Sequence, residues 1–185
     1  MNHKFGFDMP KTMHGEFGAV VQAESDRVGK ELKPDRIMEL FEQEYLKVDG
    51  PYQLVKHAFH EETVDGHSQV TFFGTIRHKD TVFSVMGGNG PIDAFFNAIH
   101  GQKMDQLTFA DYKSHAITNG SDSVAVAYIQ LRDHTGGIFG VGLSHNINPG
   151  PLRGILCAIN RWKRIQHQQN SGDSSDLSQN TDRPR

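Results

Sequence analysis

The sequence predicts an α+β fold. A helical N-terminal segment precedes a duplicated β-β-β-α region with pseudo-twofold symmetry, and a disordered C-terminal tail follows. Three observations predict this. Apolar residues keep a helical spacing up to Asp49-Gly50-Pro51 and alternate with a period of two from Tyr52. The strand-strand-strand-helix order of residues 52–101 comes again over 104–165. The tail, 166–185, holds one aliphatic side chain, Leu177. The chain has 185 residues, 36% apolar and 22% charged, which suffices for one good core or two small ones. It is too short for a complete (β/α)₈ barrel of about 250 residues.

Residues 1–50 read as two helices. Asp8 is placed to cap the first, with Pro10 in its opening turn. Met13, Phe17, Val20 and Val21 recur at helical spacing, and Gly29 is the stop. Pro34 opens the second helix, which lines up Ile37, Leu40, Phe41 and Tyr45. Two short amphipathic helices make a poor core alone. They are expected to pack on another surface, which need not lie in this chain.

Residues 51–165 carry the repeat. Strands are expected at Tyr52–His60, Gln69–Arg77 and Thr81–Met86, with turns at Asp65-Gly66 and His78-Lys79-Asp80. Gly87-Gly88-Asn89-Gly90-Pro91 then leads into a helix with Ile92, Phe95, Phe96 and Ile99 on one side. The second unit has strands at Leu107–His115, Ser123–Leu131 and Ile138–Leu143. Its helix carries Leu152, Ile155, Leu156, Ile159 and Trp162. Ile76-Arg77 corresponds to Leu131-Arg132, Gly90-Pro91 to Gly150-Pro151, and Ala98-Ile99 to Ala158-Ile159. Each unit has an apolar helix face and an apolar sheet face, so the two should pack together. Small cores and open sheet edges make a homodimer a reasonable further step. The tail is mainly Gln, Asn, Ser and Asp and cannot bury enough apolar surface to offset its ordering entropy.

Composition narrows the function. A formal charge of −3 does not give a nucleic-acid footprint. No apolar run approaches a membrane span and no secretory leader is evident, so a cytoplasmic protein is expected. The single Cys157 excludes an internal disulfide and a cysteine zinc cluster, and it sits in the apolar helix as an inert thiol. The eleven histidines include no His-x-His pair and no His-Glu-x-x-His; His57 and His60 fall on opposite strand faces. No metal site is expected. Ser114-His115 and Ser144-His145 point apart in a strand, so no catalytic triad is read. Arg161-Trp162-Lys163-Arg164 reads as helix-end cations complementing the dipole. The Gly87–Pro91 turn is either a ligand loop with free amides for a carboxylate or a tight strand-to-helix turn. A binding module is favoured over an enzyme.

Several motifs together resemble a known family. Met9-Pro10-Lys11-Thr12-Met13-His14-Gly15-Glu16-Phe17 and Phe41-Glu42-Gln43-Glu44-Tyr45-Leu46 resemble the helical linker of 2-isopropylmalate synthases. Gly88-Asn89-Gly90-Pro91-Ile92-Asp93-Ala94-Phe95, Asp111-Tyr112-Lys113-Ser114-His115-Ala116, Gly140-Val141-Gly142-Leu143 and Ala158-Ile159-Asn160-Arg161 resemble their regulatory domain. The resemblance covers residues 4–163. It implies a linker over 1–50 and a leucine-sensing, dimerising domain over 51–165, without the catalytic barrel. That barrel would condense acetyl-CoA with 2-oxoisovalerate and would hold the divalent metal, so no cofactor is expected here. The chain would be an excised piece, a truncated gene product or a stand-alone subunit, with a barrel domain or subunit as partner.

By the same resemblance, leucine would meet Gly88, Asn89, Gly90, Pro91, Ile92 and Asp93 from the first repeat. Phe109, Tyr112, Ala116, Ser123, Ala125 and Ile147 would come from the second. Asp93 and Asp111 are candidate ammonium partners, or else a helix-start and a strand-edge acid. No catalytic residue is assigned, Tyr45 aside. It either assists a partner subunit's barrel or simply continues the apolar stripe of its helix. Phe5 stands where some relatives place a catalytic histidine. The alternatives are an isoleucine-sensing domain of a citramalate synthase and a dimerisation module without ligand.

Overall fold

A computed structural model describes residues 1–47, 49–77, 83–100, 106–118, 123–145 and 149–176. The chain opens with a one-turn helix absent from the sequence expectations, α1 (Asn2–Phe5), which closes on Gly6 at φ 74°. A 3₁₀ turn, Lys11–Met13, leads into α2 (His14–Val28). Gly29 ends α2 in the left-handed conformation at φ 66°, as its position predicts. Asp8 does not cap this helix. No side chain caps the 3₁₀ turn or α2, and the Asp8 carboxylate instead accepts from Lys113 Nζ at 2.6 Å. Pro34 begins α3 (Pro34–Phe41), which widens into a π-helical turn over Glu42–Leu46.

Two three-stranded antiparallel sheets follow, each ahead of a helix. The first has the order β1 (Gln53–Val64), β2 (His67–Arg77), β3 (Phe83–Gly88), with α4 (Pro91–His100) after it. Asp65 and Gly66 join β1 to β2 with φ of 52° and 79°, the paired positive angles of a two-residue hairpin turn. The second sheet has the order β4 (Thr108–Ala116), β5 (Ala125–Arg132), β6 (Gly137–Ser144), then α5 (Pro149–Asp176). The duplicated unit is therefore present as predicted. α5 runs through residues 166–176 of the segment read as tail, and 177–185 lie outside the described residues.

Strand alternation builds two cores. Val70, Phe72 and Ile76 of β2 and Ile129 and Leu131 of β5 point to one cluster with Phe95 and Ile99 of α4 and Ile155, Ile159 and Trp162 of α5. This is the joint core of the two units. Val126 and Tyr128, on the other face of β5, join Phe139 and Val141 of β6 in a second cluster. Phe17 of α2, Leu40 and Phe41 of α3, and Tyr45 complete it. The partner surface of the N-terminal helices is thus the outer face of the second sheet, within this chain. Burying each large apolar side chain there contributes roughly 1.5–3 kcal/mol.

Arg161 corrects another expectation. Because α5 continues past it, Arg161 is not at a helix end, and it is only 2% exposed. Its guanidinium donates to Glu16 Oε1 at 2.6 Å, to Glu44 Oε1 at 2.7 Å and to the Phe139 carbonyl. Glu16 also accepts the Phe139 N–H at 3.0 Å. Along the same outer edge of β6, Arg153 donates to the Leu143 carbonyl at 2.7 Å. Side chains thus occupy backbone groups that an edge strand would offer to another chain. Asn160 donates to the Tyr52 carbonyl and accepts its N–H, which fixes the entry to β1 against α5.

Candidate functional site

Nine of the twelve predicted ligand residues line two hollows joined by β4. The first lies at the start of α4 and has a volume of about 410 Å³. Asn89, Gly90, Pro91, Ile92, Asp93, Phe96 and Phe109 line it. Gly88 stands just before this turn, and a Cβ there would run into the backbone of Ala94, so the strand can enter the helix this closely only with glycine. Asp93 Oδ2 accepts the Asn89 N–H at 2.9 Å and thereby fastens the turn to the first turn of α4. In this geometry Asp93 is a helix-start acid. Phe109, 36% exposed, meets Phe96 edge to face at 5.6 Å.

The second hollow lies at the start of α5 and is smaller, about 160 Å³. Its walls come from Tyr112, Ser114, His115 and Ala116 of β4, Ala125, Val126 and Ala127 of β5, and Gly150 and Pro151 of α5. Tyr112 is 39% exposed, and its hydroxyl lies 2.9 Å from Ser114 Oγ in a hydrogen bond. Asp111 Oδ1 accepts the Tyr112 N–H at 2.8 Å, the strand-edge role. Ser123 stands just before β5, and Ile147 lies outside the described residues.

The structure therefore groups the turn with Phe109, and groups Tyr112, Ala116 and Ala125 apart from them. A register irregularity between Phe109 and Asp111 separates the two sets along β4. Phe96 in the first hollow, and Ser114, His115, Val126, Ala127, Gly150 and Pro151 in the second, were not singled out as ligand residues from the sequence. Two signals were available. Alternation puts Ser114 on the face of Tyr112 and Ala116. The repeat makes Gly150-Pro151 the counterpart of Gly90-Pro91, so both turns begin helices beside a hollow.

The hollows offer binding chemistry. A helix start carries unpaired amides and the positive end of a macrodipole, which suit a carboxylate. Alanines and aromatic rings suit a short apolar side chain. No group of three or more His, Cys, Asp or Glu side chains among the described residues is placed to hold a metal ion.

Tyr45 and Cys157 lie elsewhere. Tyr45 is 1% exposed and continues the apolar stripe of its helix, with its hydroxyl donating to Glu16 Oε1 at 2.8 Å. Burial raises its phenol well above the ordinary value. Cys157 donates to the Tyr45 carbonyl, and burial pushes its thiol up to about 11. It is the inert thiol the sequence suggests.

Residues 31–163 match the family described as the LeuA allosteric (dimerisation) domain. The 2-isopropylmalate synthase of Clostridium acetobutylicum is 41% identical over an alignment 172 residues long that covers 88% of this chain and 30% of that protein. The 2-isopropylmalate synthase of Pseudomonas entomophila is 35% identical over 163 residues, 87% of this chain and 28% of that protein. The chain thus spans less than a third of the length of the relatives it matches. With its duplicated β-β-β-α fold and its match over most of its length, this chain belongs to the LeuA allosteric (dimerisation) domain family and corresponds to the regulatory domain region of 2-isopropylmalate synthases.

Proposed function

We propose that this chain senses leucine and dimerises as the regulatory part of a 2-isopropylmalate synthase. The condensation of acetyl-CoA with 2-oxoisovalerate belongs, in this reading, to a catalytic barrel that the chain does not contain. The observation that carries the reading is the second hollow. It is small, walled by Tyr112, Ala116, Ala125 and Ala127, and set at the start of a long helix. A zwitterion with a branched apolar side chain matches that combination. Leucine would act by binding one conformational state more tightly than another.

Thermal unfolding of the purified chain with leucine, isoleucine and valine tests this. A ligand present at 100 times its Kd that binds only the folded state adds about 2.7 kcal/mol. Leucine should raise the midpoint most, and Tyr112→Ala should abolish the rise. A larger rise with isoleucine would favour the citramalate synthase reading. No rise with any of the three would leave a dimerisation module without ligand. Dimerisation is read separately, by sedimentation equilibrium of the same chain.

A further inference from the structure

The N-terminal helices cross the outer face of the second sheet and are pinned at both of its edges. At β6 the pin is Arg161 with Glu16 and Glu44. At β4 it is Asp8. Its carboxylate accepts from Lys113 Nζ at 2.6 Å, and its N–H donates to His115 Nε2 at 3.2 Å. One residue pair further along, Gly6 packs so closely on Ile117 that a Cβ would lie 3.1 Å from the Ile117 carbonyl oxygen. The Gly6–Asp8 segment is therefore seated on the end of β4 and the residue after it by three separate contacts.

β4 has two working faces. Tyr112, Ser114 and Ala116 turn toward the α5 side at the second hollow, which His115 also lines, whereas Lys113 Nζ and His115 Nε2 meet Asp8 of the N-terminal segment. Among the described residues the N-terminal helices pack on the second sheet and join none of the core cluster of the first. A shift of β4 by a fraction of an ångström at the hollow therefore moves the seat of Asp8 directly.

We propose that Asp8, Lys113 and His115 form a clasp through which ligand in the second hollow tightens the seating of the N-terminal helices. Lys113 and His115 act as positioning residues for regulation. This rests on the effector reading above. Linkage makes the effect reciprocal: ligand strengthens the clasp as much as the clasp strengthens ligand binding.

The test is amide hydrogen exchange over residues 5–28, without leucine and at saturation, alongside calorimetric titration with leucine. In the native sequence leucine should slow exchange there by about fivefold or more, the lower end of typical couplings. In Asp8→Ala and Lys113→Met leucine should still bind, more weakly, and the slowing should vanish. Lys113→Arg should restore it, and Lys4→Ala, which removes the Lys4–Asp35 ion pair and the Lys4 contact with the Phe5 ring, both within the N-terminal segment, should leave it intact. Leucine binding with no slowing in the native chain, or with slowing that survives Asp8→Ala, overturns the clasp alone. Absence of any binding heat overturns the effector reading and the clasp with it.

Discussion

At the residue scale, Arg161 ties α5 to two N-terminal segments and to β6. It is buried, lies 4.3 Å over the Tyr45 ring and holds two carboxylates from different segments. Burial opposes its charge, but Glu16, Tyr45 and Glu44 outweigh that and raise its affinity for the proton. Removing one partner of such a group leaves the others uncompensated. Arg161→Met should lower stability by about 3 kcal/mol, read as an earlier urea midpoint at unchanged slope. Asp133 offers a second test. Burial disfavours its charge, yet donors from Thr135, Gly136 and the Trp162 indole prevail and hold its carboxyl at about 2. A lowered native value adds stability above the ordinary carboxylate range, and that stability is lost as pH falls toward 2. Asp133→Asn should flatten this acid limb, followed by the emission of Trp162, the chain's single tryptophan.

At the element scale, the glycines divide into two kinds. α5 lies flush on β6 because Gly140 and Gly142 have no side chain; a Cβ on either would overlap the carbonyls of Gly154 and Gly150. Gly142→Ala should force helix and sheet apart and cost roughly 1–3 kcal/mol or more. Gly18, in the middle of α2, has open space where its Cβ would stand. Gly18→Ala should therefore stabilise the chain by roughly 0.5–1 kcal/mol, through helix propensity and a less flexible unfolded state. Chemical denaturation of the two variants side by side checks the opposite signs. The sequence announced these elements to the extent that their signals are local. Alternation located the strands, Gly29 and Pro34 bounded their helices, and Asp65-Gly66 marked the hairpin. The C-terminal half of α5 carries no apolar stripe, so nothing in the residues after Ile165 distinguished a solvated helix from a tail. That misplaced end is what made Arg161 look like a terminal cation.

At the scale of the molecule, sequence symmetry and structural symmetry part company. The duplication was legible because both repeats use the same alternation and the same Gly-Pro helix start. The burial of one outer sheet face was not, because it depends on contacts between segments a hundred residues apart, such as Glu16 with Phe139. Nine of the residues that line the two hollows were legible as candidates, but their division between the hollows needed the register of β4. The offset that aligns Ile76 with Leu131 also aligns Phe73 with Tyr128. Phe73 is 46% exposed, whereas Tyr128 is 1% exposed beneath the N-terminal helices. Equivalent strands therefore differ in what must be undone to open them. Opening β5 exposes both of its apolar faces and the second cluster, whereas opening the outer half of the β1–β2 hairpin exposes mainly polar side chains, those of residues 60–63 and 65–69 being already in water. Local opening free energies track such differences. Native-state hydrogen exchange should find the β5 and β6 amides opening only with global unfolding, and the hairpin amides of 60–69 exchanging first. Equal protection in the two repeats would mean that the N-terminal helices add nothing to the second sheet. The same measurement on Arg161→Met should then show β6 losing protection while β2 keeps its own, because the pin at the β6 edge serves one repeat and not the other.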